Sequence, residues 1–399
     1  MARRRFIASS SDYEPPMTTE FEEDLTANLR LLSLLENPSS SPSAQSLPEP
    51  QQKQIELARM LSIKSVISTT SSFAEEQSKA NESSVRTFRK IGAGACGIVF
   101  TVDGQSLSYK IGKTLDDDDA LFNDYTMHQT IKRAVRQFST EIEIPDVYGI
   151  IERDDTKWWN EHHDLYTTAR DVVNLPAPVV ITERILPLPA PTRTQLINHF
   201  CRENLQQSAK ADSANKDCLV RPYLGSMKGR KTAFFSLRNF KLHLNQMIDI
   251  GLDYEMLAVS MGEVLAIMHW RAQTDARDIE LVLGSSTTNT NQEENDGPSS
   301  ENFVRRETRL FILDFNQVRK ISMDDTGVAD AVDAFFLNDP YYPRPCESSR
   351  VQQELWNSFV RSYLNTADTI LGGHQVLQRK FIAEVISRTT EKRRVEAKE

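Results

Sequence analysis

The stretch FRKIGAGACGIVFTVDGQSLSYK, residues 88–110, spaces Gly92, Gly94 and Gly97 as G-x-G-x-x-G and ends on Lys110. Glycines in this spacing let a backbone turn approach phosphate oxygens, and a mobile ammonium can neutralise the α- and β-phosphates. Downstream, Asp275 precedes Glu280 by five residues, and Leu281-Val282-Leu283 follows. Asp314 ends the apolar run LFIL. A carboxylate in the first of these segments can accept a hydroxyl proton, and carboxylates at the other two can hold a hard cation against β- and γ-phosphates. The lysine needs an acidic partner to keep it in place, and Asp124 in LFNDYTMH is the candidate.

The context of the glycines decides between two phosphate-binding architectures. A dinucleotide-binding turn opens into a helix. Here Gly97 is followed by Ile98-Val99-Phe100-Thr101-Val102, a β-branched and aromatic run, then the hairpin signal Asp103-Gly104 and a second run from Ser106 to Ile111. Strand, glycine turn, strand, hairpin, strand is the layout of a protein-kinase Gly-rich loop, with Val99 at its final apolar position. Ser108-Tyr109-Lys110 then supplies the third-strand lysine.

These residues need elements to carry them. ALFNDYTMHQTIKRAVRQF reads as an amphipathic helix, with the acidic run Asp116 to Asp119 at its N-terminus, where the helix dipole favours negative charge. IPDVYGIIE and APVVITERI read as strands, with Glu183 to Ile185 beside an adenine pocket, and TKWWNEHHDLYTTARDVVNLP reads as an insertion between them. From residue 192 the pattern is mainly helical, YEMLAVSMGEVLAIMHWRA being the longest apolar stripe, and RLFILDFNQVRKI returns to strand character. Residues 1–84 read as a largely disordered tail with short helices at 19–36 and 55–68. A small lobe is expected at 85–190 and a larger, mainly helical lobe at 191–388. Low-complexity sequence at 284–304 reads as a disordered insertion, and 389–399 as a charged tail.

Composition narrows the function. The hydrophobic fraction is 39% and the net charge −9, which disfavours nucleic acid as a partner. No apolar run approaches the roughly 20 residues of a membrane span. Cys96, Cys201, Cys218 and Cys346 are widely spaced, so free thiols are expected and zinc-finger spacing is absent. An intracellular protein, cytoplasmic or nuclear, is the simplest reading.

Taken together, IGAGACGIVF, LFNDYTMH, ITERILPLP, MHWRAQTDARDIELVLG, LFILDFNQ and NDPYYPRP resemble a protein-kinase-like fold. More narrowly, they resemble a fungal domain family of unknown function whose members are often labelled zinc-finger proteins. The likeness spans roughly residues 85–365. It implies an α+β, two-lobed fold with a small antiparallel sheet, and ATP with magnesium in the cleft. It also implies cofactor contacts from Gly92, Gly94, Gly97, Lys110, Asp124 and Glu183, Asp275 as base, and Asp314 and Glu280 as metal ligands. This chain departs from the kinase pattern at Gln273, Thr274, Glu280 and Asn316, and no activation loop ending in A-P-E follows Asp314. Two expectations therefore stand: a phosphotransferase acting on a small-molecule or other acceptor, and a catalytically degenerate regulatory or interaction module. Each leaves a small-molecule or protein partner to be identified.

Overall fold

Strands with β-branched and aromatic residues on either side of two glycine-bearing turns open the first sheet, and the apolar runs Leu281–Leu283 and Leu310–Leu313 form the central pair of the second. A computed structural model describes residues 48–68, 87–94, 96–114, 118–287, 305–372 and 376–396. The chain divides into two units, Met1–Gln52 and Lys53–Glu399. Of the first, residues 48–52 are described and open a helix; the expected helix at 19–36 lies outside the described residues.

The elements run α1 (Glu49–Leu61), β1 (Val66–Ser68), β2 (Phe88–Ala93), β3 (Gly97–Val102), β4 (Leu107–Gly112), α2 (Asp118–Val135), β5 (Ile142–Glu143) and β6 (Val147–Ile151). Next come α3 (Thr156–Glu161), α4 (His163–Ala169), β7 (Val179–Glu183), α5 (Ala190–Phe200), α6 (Glu203–Ala211), β8 (Val220–Tyr223), β9 (Phe240–His243), α7 (Leu244–Ile250) and α8 (Tyr254–Ala266). A π-helical turn at Ile267–Arg271 extends α8, and β10 (Glu280–Thr287), β11 (Arg305–Leu313), α9 (Asp325–Leu337), α10 (Arg350–Leu371) and α11 (Leu377–Glu396) complete the order. The fold is mixed α+β.

The first sheet is antiparallel throughout, in the order β2-β3-β4-β7-β6. Its apolar face packs Phe88, Phe100, Tyr109 and Ile111 with Trp159, Leu165 and Ala169, so the stretch expected as an insertion is α3 and α4 covering the sheet. The second sheet has the order β1-β11-β10-β8-β9, with β5 added in parallel to β11. Its central pair, β10 and β11, runs antiparallel from Glu280 opposite Leu313 to Thr287 opposite Arg306.

This second sheet modifies the expected layout in three places. The stretch after 192, expected to be mainly helical up to the strand at 309–321, also holds β8 and β9, which at four residues each are too short to show a period of two. Strand β10 continues through Thr287, so the first four residues of the expected 284–304 insertion are strand, and 288–304 lie outside the described residues. At the N-terminal side, the expected helix at 55–68 ends at Leu61, and Val66–Ser68 is a strand paired with β11. Leu57, Leu61 and Ile67 are buried there, so this part of the expected tail is built into the fold. The charged C-terminus likewise continues α11 through Glu396.

The larger core surrounds α8, which is apolar on most of its surface. It lies so close to α10 that a Cβ on Gly262 would fall 2.4 Å from the carbonyl oxygen of Phe359. Ser362 Oγ donates to the Val259 carbonyl at 2.7 Å across the same seam. The Gly262→Ala substitution is expected to force the two helices apart and to cost about 1–3 kcal/mol. Gly149→Ala, where a Cβ meets nothing within 4 Å, is expected to change stability by less than about 0.5 kcal/mol. Urea unfolding midpoints at unchanged slope distinguish the two.

Candidate functional site

Strand β4 presents Lys110 between Val99 of β3 and Val180 of β7. Its ammonium lies 2.6 Å from Asp124 Oδ2, on α2, and 2.7 Å from Asp314 Oδ1, at the end of β11. Three separate elements thus meet on one cation. Burial alone would lower the lysine pKa, but Asp124 and Asp314 beside it raise it well above its ordinary value.

Asp124 does more than hold the lysine. Its Oδ1 accepts the backbone N–H of Phe315 at 2.8 Å. The neighbouring Asn123 donates from Nδ2 to the carbonyls of Asn316 and Val318, both at 2.9 Å. Helix α2 therefore fixes the backbone after β11, and with it the direction of the Asp314 carboxylate. Asp314 itself has φ 65°, left-handed backbone that a non-glycine residue adopts at a cost.

The glycines serve different purposes. Gly94 closes the turn by donating its N–H to the Gly97 carbonyl at 2.9 Å, and a Cβ on Gly94 would lie 3.7 Å from Asp314 Oδ2. The turn thus passes directly over the carboxylate, and Lys113 Nζ donates to the Gly94 carbonyl. Gly97 faces Lys110: a Cβ there would sit 3.0 Å from Lys110 Cγ and 3.0 Å from the Ile111 carbonyl. A side chain there would press on the lysine stem and the Ile111 carbonyl. At Gly92 a Cβ would meet Val99 at an ordinary 3.7 Å. Ala95 lies outside the described residues.

A cavity of about 200 Å³ opens between these groups. Gly92, Gly94, Lys110, Asp124, Glu183, Glu280 and Asp314 all line it, together with the apolar Val99, Val180 and Leu219. Gly97 is not among the lining residues, and neither is Asp275. Glu183 is tied back into the sheet, its Oε2 accepting the Asp146 N–H at 2.9 Å. Glu280 accepts from Arg221 of β8; burial pushes its carboxyl up, while the Arg221 guanidinium pulls it back down.

Asp275 occupies a different setting from the one expected of a base in contact with an acceptor. It is 3% exposed, and its Oδ1 accepts the N–H of Arg277 at 3.0 Å and of Arg319 at 2.9 Å. Its own N–H donates to the Arg319 carbonyl at 3.0 Å, and burial pushes its carboxyl up. The side chain ties the loop after α8 to the loop after β11. Gln273, Ala276 and Asp278, all with φ near 55°, belong to the same turn.

Several site groups were not visible in the sequence. Arg221 reaches the cavity from a short strand, and Asp217, which also lines it, gathers Arg89 at 2.6 Å, Arg184 at 3.6 Å and Arg238 at 3.5 Å. No local spacing marks these partners, because they come from distant parts of the chain. His128 also lines the cavity, its Nε2 lying 2.8 Å from the Pro145 carbonyl. Cys96 is buried beside Lys110, and all four cysteines are free.

Residues 310–375 match the model of a domain family of unknown function, DUF3669, described as "Zinc finger protein". The matched segment begins inside β11 and takes in Asp314 and the NDPYYPRP stretch. No curated protein matches the chain. Among the described residues, no group of three or more His, Cys, Asp or Glu is arranged to hold a metal ion, and no helix is long and apolar enough to cross a membrane.

The turn leading to Asp275 carries a pH-sensitive group. His269 is fully buried, with Nδ1 2.9 Å from the Tyr363 hydroxyl, and burial lowers its pKa from 6.5 to about 3. The unfolded chain protonates this histidine as pH falls through 6.5, whereas the folded chain does not until about 3. Its contribution to stability is therefore full above 6.5 and is lost progressively down to about pH 3. Between pH 7 and pH 5 the wild type is expected to lose about 2 kcal/mol more than His269→Phe, read from urea unfolding at the two pH values.

Proposed function

We propose that the chain is a kinase-like nucleotide-binding protein, in which the first sheet with α2 forms a small lobe and the second sheet with the later helices a large one. The observation that carries this reading is the convergence of Lys110, Asp124 and Asp314 under the glycine turn, at the mouth of one cavity. An ammonium held at 2.6–2.7 Å by two carboxylates from separate elements is preorganised to receive phosphate oxygens. The absence of a side chain at Gly94 leaves the approach to Asp314 open, and that at Gly97 leaves room for the Lys110 stem. The apolar Val99, Val180 and Leu219 suit the flat face of a purine.

ATP with magnesium fits these residues. Gly92, Gly94 and Lys110 would contact phosphates, and Asp314 with Glu280 would hold the metal, the remaining positions falling to phosphate oxygens and water. The bound metal would neutralise charge on the β- and γ-phosphates. The chain's own part in phosphoryl transfer is orientation: Asp124 holds the ammonium, and the Asn123 and Asp124 contacts keep Asp314 facing the cavity.

A second reading, nucleotide binding without transfer in a regulatory or interaction module, is favoured by one observation. The carboxylate expected to serve as base, Asp275, is buried and occupied by two backbone N–H groups. On either reading MgATP binds the native state. At a concentration about a hundredfold above its dissociation constant it is expected to stabilise the protein by about 2.7 kcal/mol, raising the melting temperature by roughly 4 °C. Lys110→Ala is expected to abolish that rise, and no rise in the wild type would remove the nucleotide reading. ATP turnover against a panel of metabolite acceptors then separates the two: turnover lost in Asp314→Asn supports transfer, and binding without turnover supports the module.

A further inference from the structure

The stretch from Cys218 to Ile248 carries Arg221, Lys228, Arg230, Lys231, Arg238 and Lys241 and contains no Asp or Glu, in a chain of net charge −9. It comprises β8, the β8–β9 connection, β9 and most of α7. The connection is held firmly. Gly229 donates its N–H to Asn245 Oδ1 and accepts from Asn245 Nδ2, both at 2.9 Å. Ser226 Oγ lies 2.8 Å from His243 Nδ1, and the buried Leu237 donates its N–H to Asn215 Oδ1 at 2.7 Å. A Cβ on Gly229 would fall 2.5 Å from the Gln246 side chain, so a larger residue there would have to move Gln246.

This clamped loop turns its functional groups outward. Phe234 is 92% exposed and Met227 is 41% exposed. Lys228, Arg230 and Lys231 are exposed, and among the described residues none of them forms an ion pair. A single exposed apolar side chain is ordinary. A loop pinned at both ends that presents an aromatic ring among cations without ion-pair partners, on an acidic protein, has the composition of a recognition surface.

We propose that the β8–β9 connection docks an acidic peptide segment bearing an apolar side chain, its carboxylates on Lys228, Arg230 and Lys231 and its apolar group on Phe234. The charge distribution selects this class of partner. Screening at physiological salt acts over about 8 Å, so a short segment senses the cationic loop alone. An anionic bilayer or a nucleic acid extends much further and meets the repulsion of the rest of the chain. The docked segment would lie beside the cavity, because Arg221 and Arg238 at the two ends of the connection line it. The proposal is independent of nucleotide binding and of phosphoryl transfer.

The test is fluorescence anisotropy of the full chain with a labelled short peptide of alternating glutamate and leucine. The controls are a glutamine–leucine peptide, phosphatidylserine-containing vesicles and oligouridine. Binding of the acidic peptide is expected to weaken with added salt, to fall about tenfold or more in Lys228→Gln/Arg230→Gln/Lys231→Gln, and to fall severalfold in Phe234→Ala. Both variants alter exposed side chains only, and an unchanged melting temperature confirms that each is folded. Equal binding of the two peptides, unchanged affinity in the triple variant, or tighter binding of vesicles or oligouridine would overturn the proposal.

Discussion

The ion triad of Lys110, Asp124 and Asp314 is the constraint on which the arrangement of the cavity depends. An isolated ammonium is costly to remove from water, and so is each carboxylate. Placed 2.6 and 2.7 Å apart, they compensate one another only while β4, α2 and the end of β11 keep their positions. The same interaction that tolerates burial therefore fixes three elements that come from well-separated parts of the chain. Removing one partner of such a group leaves a buried charge uncompensated, which typically costs about 3–5 kcal/mol. Gly97 belongs to this constraint, since a side chain there would press on the lysine stem.

Around the triad, the backbone is held in conformations that side chains resist. Gln273, Ala276, Asp278 and Asp314 all have φ between 54° and 65°. Each such residue costs on the order of 1 kcal/mol, and the cost is met by surrounding contacts. Asp275 supplies contacts to one loop, accepting from Arg277 and Arg319, and Asn338 supplies others, accepting from Asp278 N–H at 2.6 Å and donating to the Ala276 carbonyl at 2.9 Å. Asp124 and Asn123 do the same for the segment after β11. The acidic residues thus divide into those that line the cavity, Asp124, Glu183, Asp217, Glu280 and Asp314, and Asp275, which does not line it and ties two loops together.

The legibility of the sequence followed the range of each interaction. Lys110 and the glycine turn were readable because strand, turn and strand are local, and Asp124 because a helix one connection away offers a carboxylate at the right turn. Asp314 was readable from the apolar strand before it. The spacing to Glu280 points to Asp275, but spacing carries no information about burial. Its backbone partner at Arg319 lies 44 residues away. Arg221 and Asp217 carry no local signal for the same reason: Arg221 meets Glu280 through the pairing of β8 with β10, and Asp217 meets Arg89, Arg184 and Arg238 from other segments of the chain. The short strands β1, β5, β8 and β9 carry too few residues for periodicity to reveal them; β1 and β5 form on β11, β8 on β10, and β9 on β8.

A double-mutant cycle on Lys110 and Asp314 bears most directly on this account. Unfolding free energies are measured by urea titration for the wild type, Lys110→Met, Asp314→Asn and the double variant. Contact at 2.7 Å in a partly buried setting predicts a coupling energy of about 1.5 kcal/mol or more. A coupling within the experimental error of zero, with both single variants folded, would show that the two residues do not meet and would contradict the account.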